Sequence, residues 1–167
     1  MPITDYSLPQ SAAVPGTIAT AINSCAIRSK ANASGGVIAY GRAVVQGTAP
    51  DDVVLPAANK TGFVGIAVRT YMYENAQTAD GAFGYPDKRQ IDVLTQGEVW
   101  VETEVAVAPG DAVFFRIAAN TASIVGKFLK TADAAAGPVD TAVAIPNARW
   151  ISSTTGAGLA RLQINLP

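Results

Sequence analysis

The chain has 167 residues, with 12 basic and 13 acidic side chains and a formal charge of −1. This length fits one domain with a real core. The near-neutral balance, without any basic block, argues against a nucleic-acid-binding protein, and no apolar run approaches the roughly 18 residues of a membrane span. Charged residues are only 15% of the chain, so we expect other subunits to cover much of its surface. A monomer with a bland surface of small residues is the alternative.

The first sixteen residues predict an extended arm ahead of a body that spans 17–167. Pro2, Pro9 and Pro15 lie there among small and polar residues, and proline removes backbone donors and fixes φ. Terminal disorder is the alternative. The segment has no basic start and no apolar centre, so we do not expect a signal peptide. The single cysteine, Cys25, cannot form an internal disulfide, which suits a reducing compartment.

Short runs of alternating or aliphatic residues, separated by glycine and proline, predict eight to ten strands and less than about a tenth of helix. Residues 17–30 are ambiguous between helix and strand, and we favour a strand near 25–30. Two predicted strands, 37–45 and 63–68, contain an interior glycine, Gly41 and Gly65, which indicates a bulge or a close backbone approach. The other predicted strands are 98–107, 112–116, 123–129, 143–152 and 159–166. The expected fold is all-β, a single-domain β-barrel or jelly-roll-like sandwich.

The clearest alternation runs from residue 98 to residue 107. Strand geometry places odd and even residues on opposite faces. We therefore expect one face to be buried and the other, rich in carboxylates, to be more exposed. The residues expected inside are Val99, Val101 and Val105, and those expected outside are Glu98, Glu102 and Glu104.

These glutamates are the best candidates for chemistry. Side chains two residues apart on one strand face lie about 7 Å apart, which is compatible with the paired carboxylates of an inverting glycosidase. Glu102 and Glu104 would form the pair, and Trp100 could stack on a sugar. The alternative is a strand face that contacts solvent or another subunit.

Other chemistry finds little support in the sequence. The chain has no histidine, which removes serine–histidine and cysteine–histidine nucleophiles and the usual zinc sites. The acidic residues of its turns do not match a calcium-loop spacing. These acidic turn residues are Asp51, Asp52, Asp80 and Asp87. The sequence thus predicts no catalytic residue, cofactor or metal.

The long polar connection over residues 70–90 is the better functional signal. Aromatic side chains among small polar residues are typical of protein contacts. The alternative is that these aromatics fold back onto the body. The interface candidates are Tyr71, Tyr73, Phe83 and Tyr85 in this connection, with Tyr6 and Leu8 in the arm.

Several segments in one order resemble the capsid cement, or decoration, proteins of tailed double-stranded DNA bacteriophages. They are VIAYGRAVVQG (37–47), FVGIAVRT (63–70), QIDVLTQGEVWV (90–101), VAPGDAVFFR (107–116) and IPNARWISSTTGAGLARLQINL (145–166). The resemblance covers nearly the whole chain after about residue 17. It implies a β-rich body without enzymatic activity that binds the outside of the shell and reinforces the joints between major capsid subunits.

The resemblance also implies partners and location. The expected partners are the major capsid protein and further copies of this chain, as a dimer or trimer, with no nucleic acid and no membrane. The protein would be made in the host bacterial cytoplasm and reside on the capsid exterior of the virion. Two alternatives remain open: a carbohydrate-binding or adhesion module on a similar β body, and the glycosidase built on Glu102 and Glu104.

Overall fold

The computed structural model describes residues 13–19, 24–59, 61–73, 76–119, 124–132 and 141–166. These ranges contain β-strands and no α-helix, so the prediction of an all-β fold is confirmed. The strands are β1 (Ala26–Asn32), β2 (Ile38–Ala39), β3 (Ala43–Gln46), β4 (Asp52–Val54), β5 (Phe63–Ala67), β6 (Gly84–Tyr85), β7 (Gln90–Thr103), β8 (Phe114–Arg116), β9 (Phe128–Leu129), β10 (Ala142–Ala144), β11 (Ala148–Trp150) and β12 (Gly158–Asn165). No helix long and apolar enough to cross a membrane occurs within them.

Five strands close a barrel in the order β1-β4-β3-β5-β7, with β7 pairing back to β1. The β1–β4 pair is parallel, and the other four pairs are antiparallel. Closure leaves these strands without the exposed edges that invite aggregation. Outside this ring, β2 and β6 form a separate two-stranded ribbon.

The second half of β7 extends beyond the ring and organises the remaining strands. Residues 96–103 pair with β12, which in turn pairs with β11. At its end, Thr103 pairs with Phe128 of β9, and β8 and β10 continue that sheet. β7 therefore joins the ring to the rest of the body.

A β-bulge allows β7 to serve two separate cores. Ala26 of β1 pairs with Gln96 while Ile27 pairs with Leu94, so Thr95 is an extra residue on β7. Before the bulge, Val93 packs in a cluster with Tyr40 and Tyr85. After it, the odd residues enter the larger cluster around Trp150 and Phe115. Leu94 already lies in that larger cluster before the bulge. Because side chains alternate every residue, one inserted residue moves the odd-numbered side chains of β7 from the smaller cluster to the larger one.

The predicted burial of the strand is confirmed for Val99 and Val101, both fully buried, and wrong for Val105, which is 38% exposed. The reason is that β7 ends at Thr103 and the alternation ends with it. The predicted outward residues do not share one environment either. The side chain of Glu102 is 37% exposed, whereas that of Glu104 is only 10% exposed.

Several other strand boundaries differ from the predictions. Residues 143–152 form two strands rather than one, because a turn at Pro146–Asn147 separates β10 from β11. The strand predicted over 37–45 is interrupted as expected at Gly41, which has a φ of 73°. Gly65 has the predicted close approach, since a Cβ there would lie 2.2 Å from the Leu94 carbonyl oxygen.

Exchanging Val101 for aspartate should abolish soluble folding, whereas the same exchange at Val105 should be tolerated. Val101 is fully buried in the larger core, and an isolated carboxylate there costs several kcal/mol. Val105 lies beyond the strand and is partly exposed. Soluble yield and urea denaturation of the two variants measure the difference. Equal losses would show that the inward face of β7 is wrongly assigned.

Candidate functional site

The connection over residues 70–90 splits into exposed and buried aromatic residues. Tyr71 is 84% exposed and the adjacent Met72 77%, while Phe83 is 40% exposed. Tyr85 is only 1% exposed, and Tyr73 packs against the smaller core. Of the interface candidates, Tyr71 and Phe83 therefore face solvent, whereas Tyr73 and Tyr85 fold back onto the body. The other two candidates, Tyr6 and Leu8, lie outside the described residues.

Tyr85 holds this connection on the barrel. It lies in β6, which pairs with β2, and its hydroxyl donates a 2.7 Å hydrogen bond to the Val68 carbonyl oxygen. The rings of Tyr40 and Tyr73 pack edge-on against it, at 5.2 and 5.6 Å between centroids. Burial raises the pKa of Tyr85, so the phenol stays neutral. The exposed residues Tyr71 and Met72 therefore belong to a connection that Tyr85 fixes to the barrel.

The end of the predicted arm is attached to the same region. The Gly16 N–H donates to the Trp100 carbonyl oxygen at 2.8 Å, and the Gly16 carbonyl oxygen accepts from the Arg69 N–H at 2.8 Å. Gly16 has a φ of 82°, and a Cβ on it would lie 2.9 Å from the Gly41 nitrogen. A side chain would therefore separate the arm from the barrel. We call residues 13–16 the arm root.

A groove lies between the arm root and the aromatic connection. It has a volume of about 350 Å³ and is lined by Val14, Pro15, Tyr40, Arg69, Ala82, Phe83 and Glu102. The Arg69 guanidinium lies over the Tyr40 ring, 5.4 Å from its centroid, which is the geometry of a cation–π contact. The groove thus combines apolar walls with one cation and one anion.

Arg42 forms ion pairs with two carboxylates, one of which, Glu102, lines the groove. Its side chain is 4% exposed, and its Nη2 lies 3.0 Å from Asp80 Oδ2 and 3.5 Å from Glu102 Oε2. Lys127 Nζ lies 3.1 Å from the same Glu102 oxygen. Burial lowers the pKa of Arg42, against the opposing effect of the nearby carboxylates. This cluster ties the aromatic connection, through Asp80, to β7 and to the turn before β9. No signal in the sequence distinguished Arg42, or the groove residues Arg69 and Val14, as part of a site.

The three glutamates of the glycosidase alternative are all paired with cations. Glu104 Oε2 lies 2.6 Å from Arg116 Nε, and its other oxygen accepts the Ile124 N–H at 3.0 Å. Glu102 contacts Arg42 and Lys127, and Glu98 lies 3.5 Å from Arg161. Each of these carboxylates therefore has a cationic partner within the fold. The arrangement fits fold stabilisation better than acid–base chemistry.

The acidic turn residues also have local partners. Asp51 contacts Lys30, Asp87 accepts the Gly35 N–H, and Asp52 accepts the Ala49 N–H. Within the described ranges, no three acidic or cysteine side chains lie close enough together to hold a metal ion. Cys25 packs against the larger core.

Comparison with known proteins identifies the family. The model of the phage structural cement proteins, whose description names E217 gp24 and Pam3 gp6, matches residues 1–165. The chain belongs to this family. It is a structural protein of a bacteriophage virion, as the sequence resemblance implied, and it associates with capsid proteins.

The fold of this cement protein also occurs in a solved structure. A chain from the structure described as the capsid of Myoviridae Phage XM1 superimposes with a TM-score of 0.67 at 17% sequence identity, covering 96% of each chain. At that identity the likeness shows the fold alone. Comparison with curated proteins gave no match.

Replacing Glu104 by glutamine should destabilise the protein by roughly 3 kcal/mol, because the buried Arg116 would lose its close contact with a carboxylate, while its hydrogen bond to Thr141 remains. Glu98 is the matched control on the same strand. Its pair with Arg161 is longer and more exposed, and Glu98→Gln should cost less than about 1 kcal/mol. The free energy of unfolding in urea measures both, and a larger loss for Glu98→Gln would contradict this ranking.

The Arg42–Asp80 ion pair should make part of the free energy of unfolding depend on pH in the acidic range. Burial alone would raise the pKa of Asp80, but a hydrogen bond with Thr78 and the charge of Arg42 together lower it below its ordinary value of 3.8. The stabilisation is therefore present above that value and is lost as the pH falls through the folded-state pKa. The stability difference between the wild type and Asp80→Asn should be constant near neutral pH and shrink below about pH 4. A difference that grows in acid would refute the assignment.

Proposed function

We propose that this cement protein binds the outer surface of the assembled capsid, across joints between major capsid subunits, and stabilises those joints without catalysing a reaction. Membership of the family over 165 residues supports a structural role in the virion. The pairing of its glutamates with arginine and lysine supports a non-enzymatic role. A cement protein needs surface that fits its partner rather than titratable groups.

The exposed pair Tyr71–Met72 is the observation that carries the contact with the capsid. Both side chains are more than three-quarters exposed, on a connection that Tyr85 and Asp80 anchor to the barrel. Tyrosine and methionine are enriched at protein interfaces, and a rigid base reduces the entropy lost on binding. We therefore assign Tyr71 and Phe83 to the capsid contact and Tyr73 and Tyr85 to its support.

The stabilisation of the shell would follow from the repetition of this contact over its surface. A contact that forms only across a joint stabilises the assembled state by mass action, and many copies around the shell multiply the effect. A dimer or trimer of this chain would add avidity. The arm, with Tyr6 and Leu8, would extend the contact along the shell. The role involves neither nucleic acid nor a membrane, and the protein would be made in the host bacterial cytoplasm before joining the capsid exterior.

The proposed function predicts strong binding to assembled shells and weak binding to free capsid subunits, because a site formed across a joint exists only after assembly. Purified protein is co-sedimented with expanded cognate capsids, and its binding to unassembled subunits is measured by size-exclusion chromatography. Equal affinity for both forms, or none for capsids, would refute the proposal. Binding to a glycan panel would support the adhesion module instead.

Deleting residues 1–12 should weaken binding to the shell while leaving the body folded. The deletion keeps the arm root and its hydrogen bonds to Trp100 and Arg69. Thermal unfolding of the truncated chain serves as the control for folding. Undiminished binding of a folded truncated chain would remove the role of the arm and leave the rest of the proposal intact.

A further inference from the structure

We propose that the groove between the arm root and the aromatic connection receives an apolar side chain of a capsid subunit, an inference that rests on the proposed function. The sequence alone suggested two separate contact elements, the arm and the connection. The structure brings them together, because Val14 of the arm root and Phe83 of the connection line the same groove. The two elements therefore form one surface.

Two exposed apolar side chains from different segments line this groove. Among the described residues, the large hydrophobic side chains with substantial exposure are Val14, Ile27, Tyr71, Met72, Phe83 and Val105. Val14 and Phe83 line the groove, which places one from the arm root and one from the connection on the same surface. Apolar side chains that share a concave surface are typical of interaction sites, whereas single exposed apolar residues need no explanation.

The walls of the groove are held in place before any partner binds. The Tyr40 N–H donates to the Phe83 carbonyl oxygen at 3.0 Å, and the Arg69 N–H donates to Gly16. At the polar side, Glu102 is already bound by Arg42 and Lys127. An entering apolar side chain would cover Val14 and Phe83 without removing these bonds. The groove is therefore preorganised for an uncharged apolar group.

The size of the groove favours a capsid subunit over a second copy of this chain. A standard stable interface has about 20–30 residues on each side, and seven residues line this groove. Such a contact is too small to hold a dimer by itself but suits a site that is repeated over a shell.

The test compares substitutions in the groove with matched substitutions elsewhere. The groove variants are Val14→Ser and Phe83→Ser, whose side chains are 39% and 40% exposed. The controls are Ile27→Ser and Val105→Ser, which lie outside the groove and are 42% and 38% exposed. Affinity for expanded capsids is measured by co-sedimentation at increasing protein concentration. Each groove variant should bind roughly tenfold more weakly, and each control should stay within about twofold of the wild type.

The double variant tests whether both residues contact the same group. If one side chain fills the groove, Val14→Ser and Phe83→Ser together should lose less than the product of their separate effects. Thermal unfolding of every variant confirms that the body is folded. Groove variants that bind like the controls, while the wild type binds capsids, would overturn this inference alone. A wild type that does not bind capsids would instead overturn the proposed function.

Sedimentation velocity of the free protein tests the alternative occupant of the groove, a second copy of this chain. If a second copy fills the groove, the groove variants should dissociate into smaller species and the control variants should not. That result would also overturn the assignment to a capsid subunit. An unchanged sedimentation coefficient together with weakened capsid binding supports it.

Discussion

Strand β7 must satisfy two packing environments with one run of fourteen residues. The odd-numbered residues of its first part pack in the cluster around Tyr40 and Tyr85, and those of its second part pack with Leu94 in the larger core around Trp150. The extra residue at Thr95 makes this possible, because it shifts the alternation by one position between the two parts. Ile18, just after the arm root, and the strands β5, β9 and β12 all pair with this strand, so their placement depends on its register.

Charged residues are few, and several of them have buried rather than exposed side chains. Arg42 and Arg116 each have side chains only 4% exposed, and each contacts glutamates at the end of β7. Buried ion pairs contribute little net stability, yet removing one partner is costly, so they favour one arrangement over its competitors. Here they fix where the aromatic connection and the β8–β9 segment meet the barrel.

The sequence predicted what local patterns determine and missed what distant contacts determine. Alternation correctly placed Val99 and Val101 inside, but nothing local shows that the strand ends at Thr103, because Glu104 turns toward Arg116 on another strand. Composition marked the 70–90 connection as a candidate contact surface. It could not separate Tyr71 from Tyr85, since the burial of Tyr85 depends on two residues of β6 pairing with β2.

The way the arm root meets β7 also determines how tension is transmitted into the body. Residues 16–19 run antiparallel to β7, with hydrogen bonds from Gly16 and Ala19 to Trp100 and Glu98 and one from Trp100 to Thr17. A pull along the strand axis is shared by all three bonds at once, whereas a pull perpendicular to the axis opens them one after another. If the proposed attachment to the shell holds, a pull on the chain ahead of Gly16 would be resisted best when it acts parallel to β7, so the orientation of the barrel on the capsid would set the mechanical strength of the attachment.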